Sequence, residues 1–322
     1  MTAPILTLKG LSKSFPLKGG LFNRVKNWVH AVQEVDLELL PGQTLGLVGE
    51  SGSGKSTLAR LILRLIEPSA GQVIFRGKDL TQLGHRQMIE QRRGIQMIFQ
   101  DPLDSLNARW SIGQIIAEPL EIQGQLNRQE REAEVARLLE LVGLSVQAKD
   151  RFPHEFSGGQ RQRVGVARAL ALKPQLILAD EPVSALDVSI QAQILNLLKD
   201  LQEELGLSYL FIAHDIHVIR FIAQRIAVMY MGRIVELGDA QELSNHPLHP
   251  YTRALWAAVP SIDAGPGLCA PLQGEVPSLI NPPQGCAFHP RCPIARPDCS
   301  VVRPKLTEIQ PGHWAACPYG SL

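Results

Sequence analysis

Thr44-Leu45-Gly46-Leu47-Val48, running into Gly49-Glu50-Ser51-Gly52-Ser53-Gly54-Lys55-Ser56 and then Thr57, is the stretch that decides the fold. Five residues read as a short buried strand, a glycine loop follows, and Lys55 to Leu65 repeats apolar residues at helical spacing. Strand, loop and helix in that order put the GxxxxGK[ST] pattern in the context its chemistry requires. The glycines let the backbone curl so that successive N–H groups point inward at an anion, and the helix N-terminus adds its positive end. Lys55 is then placed to reach the β- and γ-phosphates of ATP, and the Ser56 hydroxyl to ligate Mg²⁺.

Upstream, Val35, Leu37 and Leu39 alternate with Asp36 and Glu38 before Pro41-Gly42, which predicts a half-buried strand ending in a turn. Downstream, Gln72 to Phe75 with Arg76-Gly77 reads as a hairpin arm, and Ile95 to Phe99 as a further strand. Ser111 to Gly143 turns helical. Strands are then expected at Leu176–Ala179, Tyr209–Ala213, Ile226–Tyr230 and Ile234–Leu237, with helices over Gln191–Leu205 and near Val218. Such alternation predicts an α/β domain with a largely parallel sheet and a helical insert. From Pro260 onward, Pro and Gly break all periodicity.

Leu176 to Ala179 ends in Asp180-Glu181, two carboxylates at the sheet edge where open α/β sheets bind ligands. Asp180 is expected to hold Mg²⁺ and Glu181 to polarise the attacking water. Taken alone, an Asp-Glu pair also suits a helix N-terminus. Ser157-Gly158-Gly159-Gln160, ahead of a helical run from Arg161 to Leu172, is a second anion site at a helix start. One nucleotide does not plausibly occupy two such loops of one fold.

With these motifs the chain resembles the ABC ATPase family over about Leu6 to Leu243, Ser157 to Gln160 matching that family's signature. The resemblance implies a RecA-like phosphate-loop core with an antiparallel β arm and a helical subdomain. It also implies that the signature of one subunit closes over ATP held by the phosphate loop of another. Gln100, by the same resemblance, senses Mg²⁺ and contacts membrane subunits, Asp187 contacts the opposite ATPase, and His214 binds the γ-phosphate. Alone, a His after a strand is more often structural. Adenine is expected to stack on Phe15 or Trp28, which an insert from Pro16 to Asn27 separates.

Within the family, Phe99-Gln100-Asp101-Pro102, Ser105-Leu106-Asn107, the run Glu181 to Gln193 and His249 to Leu255 look like the dipeptide and oligopeptide importers. Ala108 departs from that group's usual proline. The Val183-Ser184 form resembles the second of two paired ATPases. The resemblance therefore implies a heterodimer with a sister ATPase, two membrane permeases and a periplasmic or lipoprotein substrate-binding protein. Residues 1–259 are expected to form the nucleotide-binding domain, with the helical subdomain at about 101–172, and residues 260–322 a small cysteine-rich module.

All five cysteines, Cys269, Cys286, Cys292, Cys299 and Cys317, fall in that tail. In a reducing compartment clustered cysteines more often bind metal than pair as disulfides. Cys286, Cys292, Cys299 and Cys317 suit zinc or an iron–sulfur cluster, but they lack the tight ligand pair zinc sites usually have. Few large apolar residues accompany them, so a metal centre is expected to supply folding energy; structural zinc gives about 10–16 kcal/mol. The resemblance to peptide-importer ATPases implies a [4Fe–4S] cluster, with zinc as the alternative. His289, His313 and Cys269 read as spare groups.

The 322 residues carry 32 basic and 31 acidic side chains, a balance that disfavours a general nucleic-acid binder. No signal peptide and no long apolar run is apparent, which predicts a chain that neither spans a membrane nor leaves the cytoplasm by itself. The resemblance to importer ATPases implies a peripheral place on the cytoplasmic face of the inner membrane. Three other readings predict features the sequence lacks or leaves open. An ABC ATPase clamping DNA or ribosomes calls for a long coiled coil or two ATPase halves. An importer for nickel, glutathione or an antibiotic peptide would share every motif above, and a redox-sensing tail would tie turnover to oxidation state.

Overall fold

The computed structural model describes residues 3–19, 24–100, 105–124, 126–258 and 274–320. In chain order the strands are β1 (Leu6–Gly19), β2 (Arg24–Leu39), β3 (Thr44–Val48), β4 (Ala70–Phe75), β5 (Lys78–Asp79) and β6 (Ile95–Ile98). They continue with β7 (Leu176–Asp180), β8 (Ser208–Ile212), β9 (Arg225–Tyr230), β10 (Arg233–Asp239), β11 (Thr307–Gln310) and β12 (His313–Ala315). Contacts divide the chain into two units: residues 1–3, 40–43 and 82–212, and residues 4–39, 44–81 and 213–322.

In the first unit β6, β7 and β8 pair in parallel, Ile177 lying beside Gln96 on one side and Tyr209 on the other. Every residue of β7 and β8 is buried, as expected for unbroken apolar runs covered on both faces. The helices Ile112–Gln123 and Arg128–Leu141 form the predicted insert. Ser111 and Asn127 cap their N-termini, reciprocally with Gln114 and Glu130, and Gly124 closes the first in a left-handed turn. The helix Val188–Leu205 ends at Gly206 in the same way.

In the second unit the order β2-β1-β4-β5 forms the antiparallel arm. Val35, Leu37 and Leu39 are buried and Asp36 and Glu38 exposed, the alternation read from the sequence. Within the stretch read as an insert, the described residues prolong the β1–β2 ribbon: Pro16 pairs with Trp28, Leu17 with Asn27 and Lys18 with Val25. The strand formers Val25, Trp28 and Val29 carry the ladder outward. Strand β3 lies parallel to β9, and β9 turns back antiparallel into β10. Gly46 is forced by packing, since a Cβ there would sit 2.5 Å from Ile219 Cγ2 on the helix Ile216–Ile222.

The tail is attached to this second unit. Strand β12 pairs with β10, Ala315 beside Glu236 and Trp314 beside Leu237, and β11 pairs with β12. Neither strand was legible, because three- and four-residue strands carry too short a pattern to register. Glu236, fully buried, fixes the junction by accepting from the backbone N–H of Leu248 (2.7 Å) and His249 (2.9 Å) and from His313 Nε2 (2.7 Å). The expectations on residues 101–104 and Cys269 lie outside the described residues.

Candidate functional site

The phosphate loop, in the second unit, is built as its glycines demand. Gly49 and Gly54 have φ of 157° and 108°, and a Cβ on either would lie 2.2 Å from a backbone oxygen, of Met229 and Ala31 respectively. The helix Lys55–Ile62 starts at Gly54 with no side-chain cap, so its first N–H groups are not spent on a capping side chain. Lys55 is buried, its Nζ donating to the carbonyls of Gly49 (2.7 Å) and Glu50 (3.0 Å). His214, exposed just beyond β8, precedes the helix Ile216–Ile222, whose N-cap is Asp215.

In the first unit, β7 delivers Asp180, buried, and Glu181 at the strand end. Glu181 has φ 47°, a left-handed conformation that costs a non-glycine residue on the order of 1–3 kcal/mol. Its N–H bonds Ile212 O (2.9 Å), and its carbonyl accepts from Ser184 Oγ (3.1 Å). The strain aims the carboxylate off the strand end, where Gln100 Nε2 donates to Glu181 Oε2 at 3.0 Å. Two expected catalytic residues 81 positions apart are thus in contact.

Ser157, Gly158 and Gln160 are exposed, and Gly159 is buried. Ser157 caps the helix Gly158–Leu170: Gln160 N–H donates to Ser157 Oγ (3.4 Å) and Ser157 N–H to Gln160 Oε1 (3.0 Å). A Cβ on Gly159 would stand 2.4 Å from Ile190 Cγ2, so the signature's glycine also answers to packing against the helix Val188–Leu205. Gln191 Nε2 donates to Val183 O (3.0 Å) and Leu186 O (2.9 Å), which pins the turn carrying Asp187. Asp187 is exposed and its side chain makes no cap bond, leaving the carboxylate facing outward.

The tail contributes contacts that sequence reasoning missed. Arg291 grips Glu50 with both arms, Nη1 to Oε2 at 2.8 Å and Nη2 to Oε1 at 3.0 Å, and Tyr251 OH accepts from Glu50 N–H at 2.8 Å. Tyr230, Tyr251 and Phe288 form an aromatic cluster beside the pair, with centroids 4.5–5.4 Å apart. Burial pushes the Tyr251 phenol up, and it lowers His249 to about 4, keeping the imidazole neutral so that its Nδ1 accepts from Tyr251 N–H (3.1 Å). The only signal in the sequence was an arginine between two cysteines.

Cys286, Cys292, Cys299 and Cys317 are free thiols lining one small cavity with His289 and Tyr319. Burial raises Cys286, Cys292 and Cys317, and the neighbouring cysteines raise each further. Among the described residues, no three His, Cys, Asp or Glu side chains converge tightly enough for one metal ion. His289 Nδ1 donates to Cys286 O (2.9 Å) and His313 to Glu236, so both spare histidines have structural partners. The described residues include no helix long and apolar enough to cross a membrane.

Comparison with known proteins covers nearly the whole chain. A family model described as "ABC transporter" matches residues 32–184, and one described as "Oligopeptide/dipeptide transporter, C-terminal region" matches residues 235–299. The chain is 50% identical to an oligopeptide transport ATP-binding protein of Bacillus subtilis, covering 97% of this chain and 96% of that one. It is 52% identical to a probable peptide ABC transporter ATP-binding protein of Sinorhizobium fredii, covering 98% and 90%. A dimeric ATP-binding cassette solved in a post-hydrolysis state with ADP and Pi matches with TM-score 0.65 and 32% identity, over 73% of this chain and 98% of that one.

Proposed function

The chain belongs to the ABC transporter ATP-binding family, and from that premise we propose how its residues energise the import of peptides. It is an ATPase that serves an importer of dipeptides or oligopeptides, with ATP and Mg²⁺ as its working cofactors. The observation that carries the site assignment is the uncapped helix start at Lys55, with the ammonium resting on the loop's own carbonyls. In this reading Gly49 to Thr57 hold the phosphates, and Ser56, Asp180 and Gln100 attend Mg²⁺. Glu181 takes the proton of the attacking water, and Gln100, bonded to it at 3.0 Å, sets its direction. His214 binds the γ-phosphate.

Ser157, Gly158, Gly159, Gln160 and Asp187 serve the nucleotide of a sister ATPase, supported by their exposure at a helix start and a turn. Two permeases and a substrate-binding protein complete the importer, with this subunit peripheral on the cytoplasmic face. Residues 1–259 act as the nucleotide-binding domain, about 101–172 as its helical subdomain, and 260–322 as the metal-binding tail. The four thiols lining one cavity, Cys286, Cys292, Cys299 and Cys317, are the residues that would hold a [4Fe–4S] cluster, with zinc as the alternative. When bound, the cluster supplies the covalent cross-linking that the sparsely apolar tail lacks. Purification under argon should yield a brown protein with stoichiometric iron; a colourless product with stoichiometric zinc overturns the cluster.

The pairing is tested with the Glu181→Gln chain co-expressed with its sister ATPase and sized with and without Mg-ATP. A heterodimer that forms with ATP and falls apart without it is expected. A homodimer of this chain under the same conditions contradicts the heterodimer.

A further inference from the structure

Glu50 is an odd residue to find in an anion-binding loop. Its carboxylate stands one residue from Gly49 and opposes the charge of any phosphate the loop receives. All three of its polar groups are engaged. The carboxylate takes two bonds from Arg291, the N–H donates to Tyr251, and the carbonyl accepts from Lys55 Nζ. Arg291 is 4% exposed and Glu50 24%, so the pair is largely sheltered from water and salt. The guanidinium is further held by Tyr230 OH at 3.4 Å and lies 6.0 Å from the Tyr230 and Phe288 ring centres.

We propose that Arg291 is a positioning residue for ATP binding, neutralising Glu50 and fixing the phosphate loop that carries Lys55. The proposal rests on reading residues 49–56 as the phosphate loop. It gives the tail a role beyond holding metal: a residue between Cys286 and Cys292 reaches the ATP site through one carboxylate. A fork that matches both carboxylate oxygens is something lysine does not reproduce, so the geometry demands arginine specifically.

The test is equilibrium binding of a fluorescent ATP analogue to the full-length chain, alongside KM and kcat in the assembled transporter. Arg291→Met should weaken nucleotide binding by about tenfold or more and raise KM similarly, with kcat at saturating ATP changed far less. Arg291→Lys should fall between. The Glu50→Gln, Arg291→Met double variant should recover most of the affinity, because no unpaired carboxylate then faces the phosphates. Unchanged affinity in Arg291→Met overturns the proposal. So does a double variant as weak as the single one, or weakening found only in preparations that have lost bound metal. Lys55→Ala keeps the two readings apart: if it still binds ATP, the phosphate-loop assignment itself has failed.

Discussion

The phosphate loop and the signature are both glycine-rich entries to a helix, yet the structure finishes them differently. The phosphate loop's helix has no side-chain cap and is braced from outside, by the tail through Arg291 and Tyr251. The signature's helix is capped by its own Ser157, in a reciprocal exchange with Gln160 whose Oγ bond is a long 3.4 Å. The first has no capping side chain at Gly54, and its lysine is folded back onto the loop's own carbonyls. The second satisfies its own end through a cap exchange whose longer bond is the weaker one. On the proposed reading, that difference predicts a single chain that binds ATP and turns it over poorly.

The largest effect that would sharpen this contrast is at Glu181. Glu181→Gln should lower turnover by about 10² to 10⁴ while leaving ATP affinity near its original value, measured by steady-state hydrolysis and equilibrium binding. A parallel loss of affinity would mean that the strained carboxylate shapes the binding loop as well. Next come the glycines. Gly54→Ala drives a Cβ against the backbone oxygen of Ala31 at φ 108°, whereas Gly159→Ala meets only the Ile190 side chain. Gly159→Ala should therefore cost about 1–3 kcal/mol in chemical denaturation and still fold, and Gly54→Ala should cost more and abolish nucleotide binding. Equal costs would break the distinction between a backbone-limited socket and a packing-limited signature.

A third comparison is in pH. His249, lowered to about 4 by burial, stays neutral in the folded chain while the unfolded chain protonates near the ordinary histidine value. Stability should be fully present above about pH 6.5 and decline as pH falls toward 4, by on the order of 3 kcal/mol. His249→Gln should flatten that slope in urea titrations run at several pH values. The smallest effect is at the cap: Ser157→Ala should cost about 1 kcal/mol of stability, leave ATP binding by the isolated chain intact and impair hydrolysis only in the paired complex.

What was legible in the sequence follows the range of the interactions. Thr44 to Ser56 carry strand, turn and helix start in consecutive residues, so geometry and chemistry could be read together. Asp180-Glu181 was legible for the same reason, although its contact with Gln100 needed the parallel pairing of β6 with β7. The Arg291–Glu50 grip spans 241 positions and leaves no periodic trace. Strands β11 and β12 exist only because β10 offers an edge. In the stretch read as an insert after Phe15, the described residues carry the β1–β2 pairing outward with a register shift between Leu17 and Lys18, a cross-strand pairing that the sequence alone does not display.

The central claim is tested most directly by Mg-ATP hydrolysis in the transporter assembled from this chain, its sister ATPase, the permeases and the binding protein, with and without peptide. The account predicts hydrolysis that rises with peptide and disappears in Glu181→Gln. Hydrolysis indifferent to peptide, but stimulated by nickel or glutathione in the same complex, would contradict it.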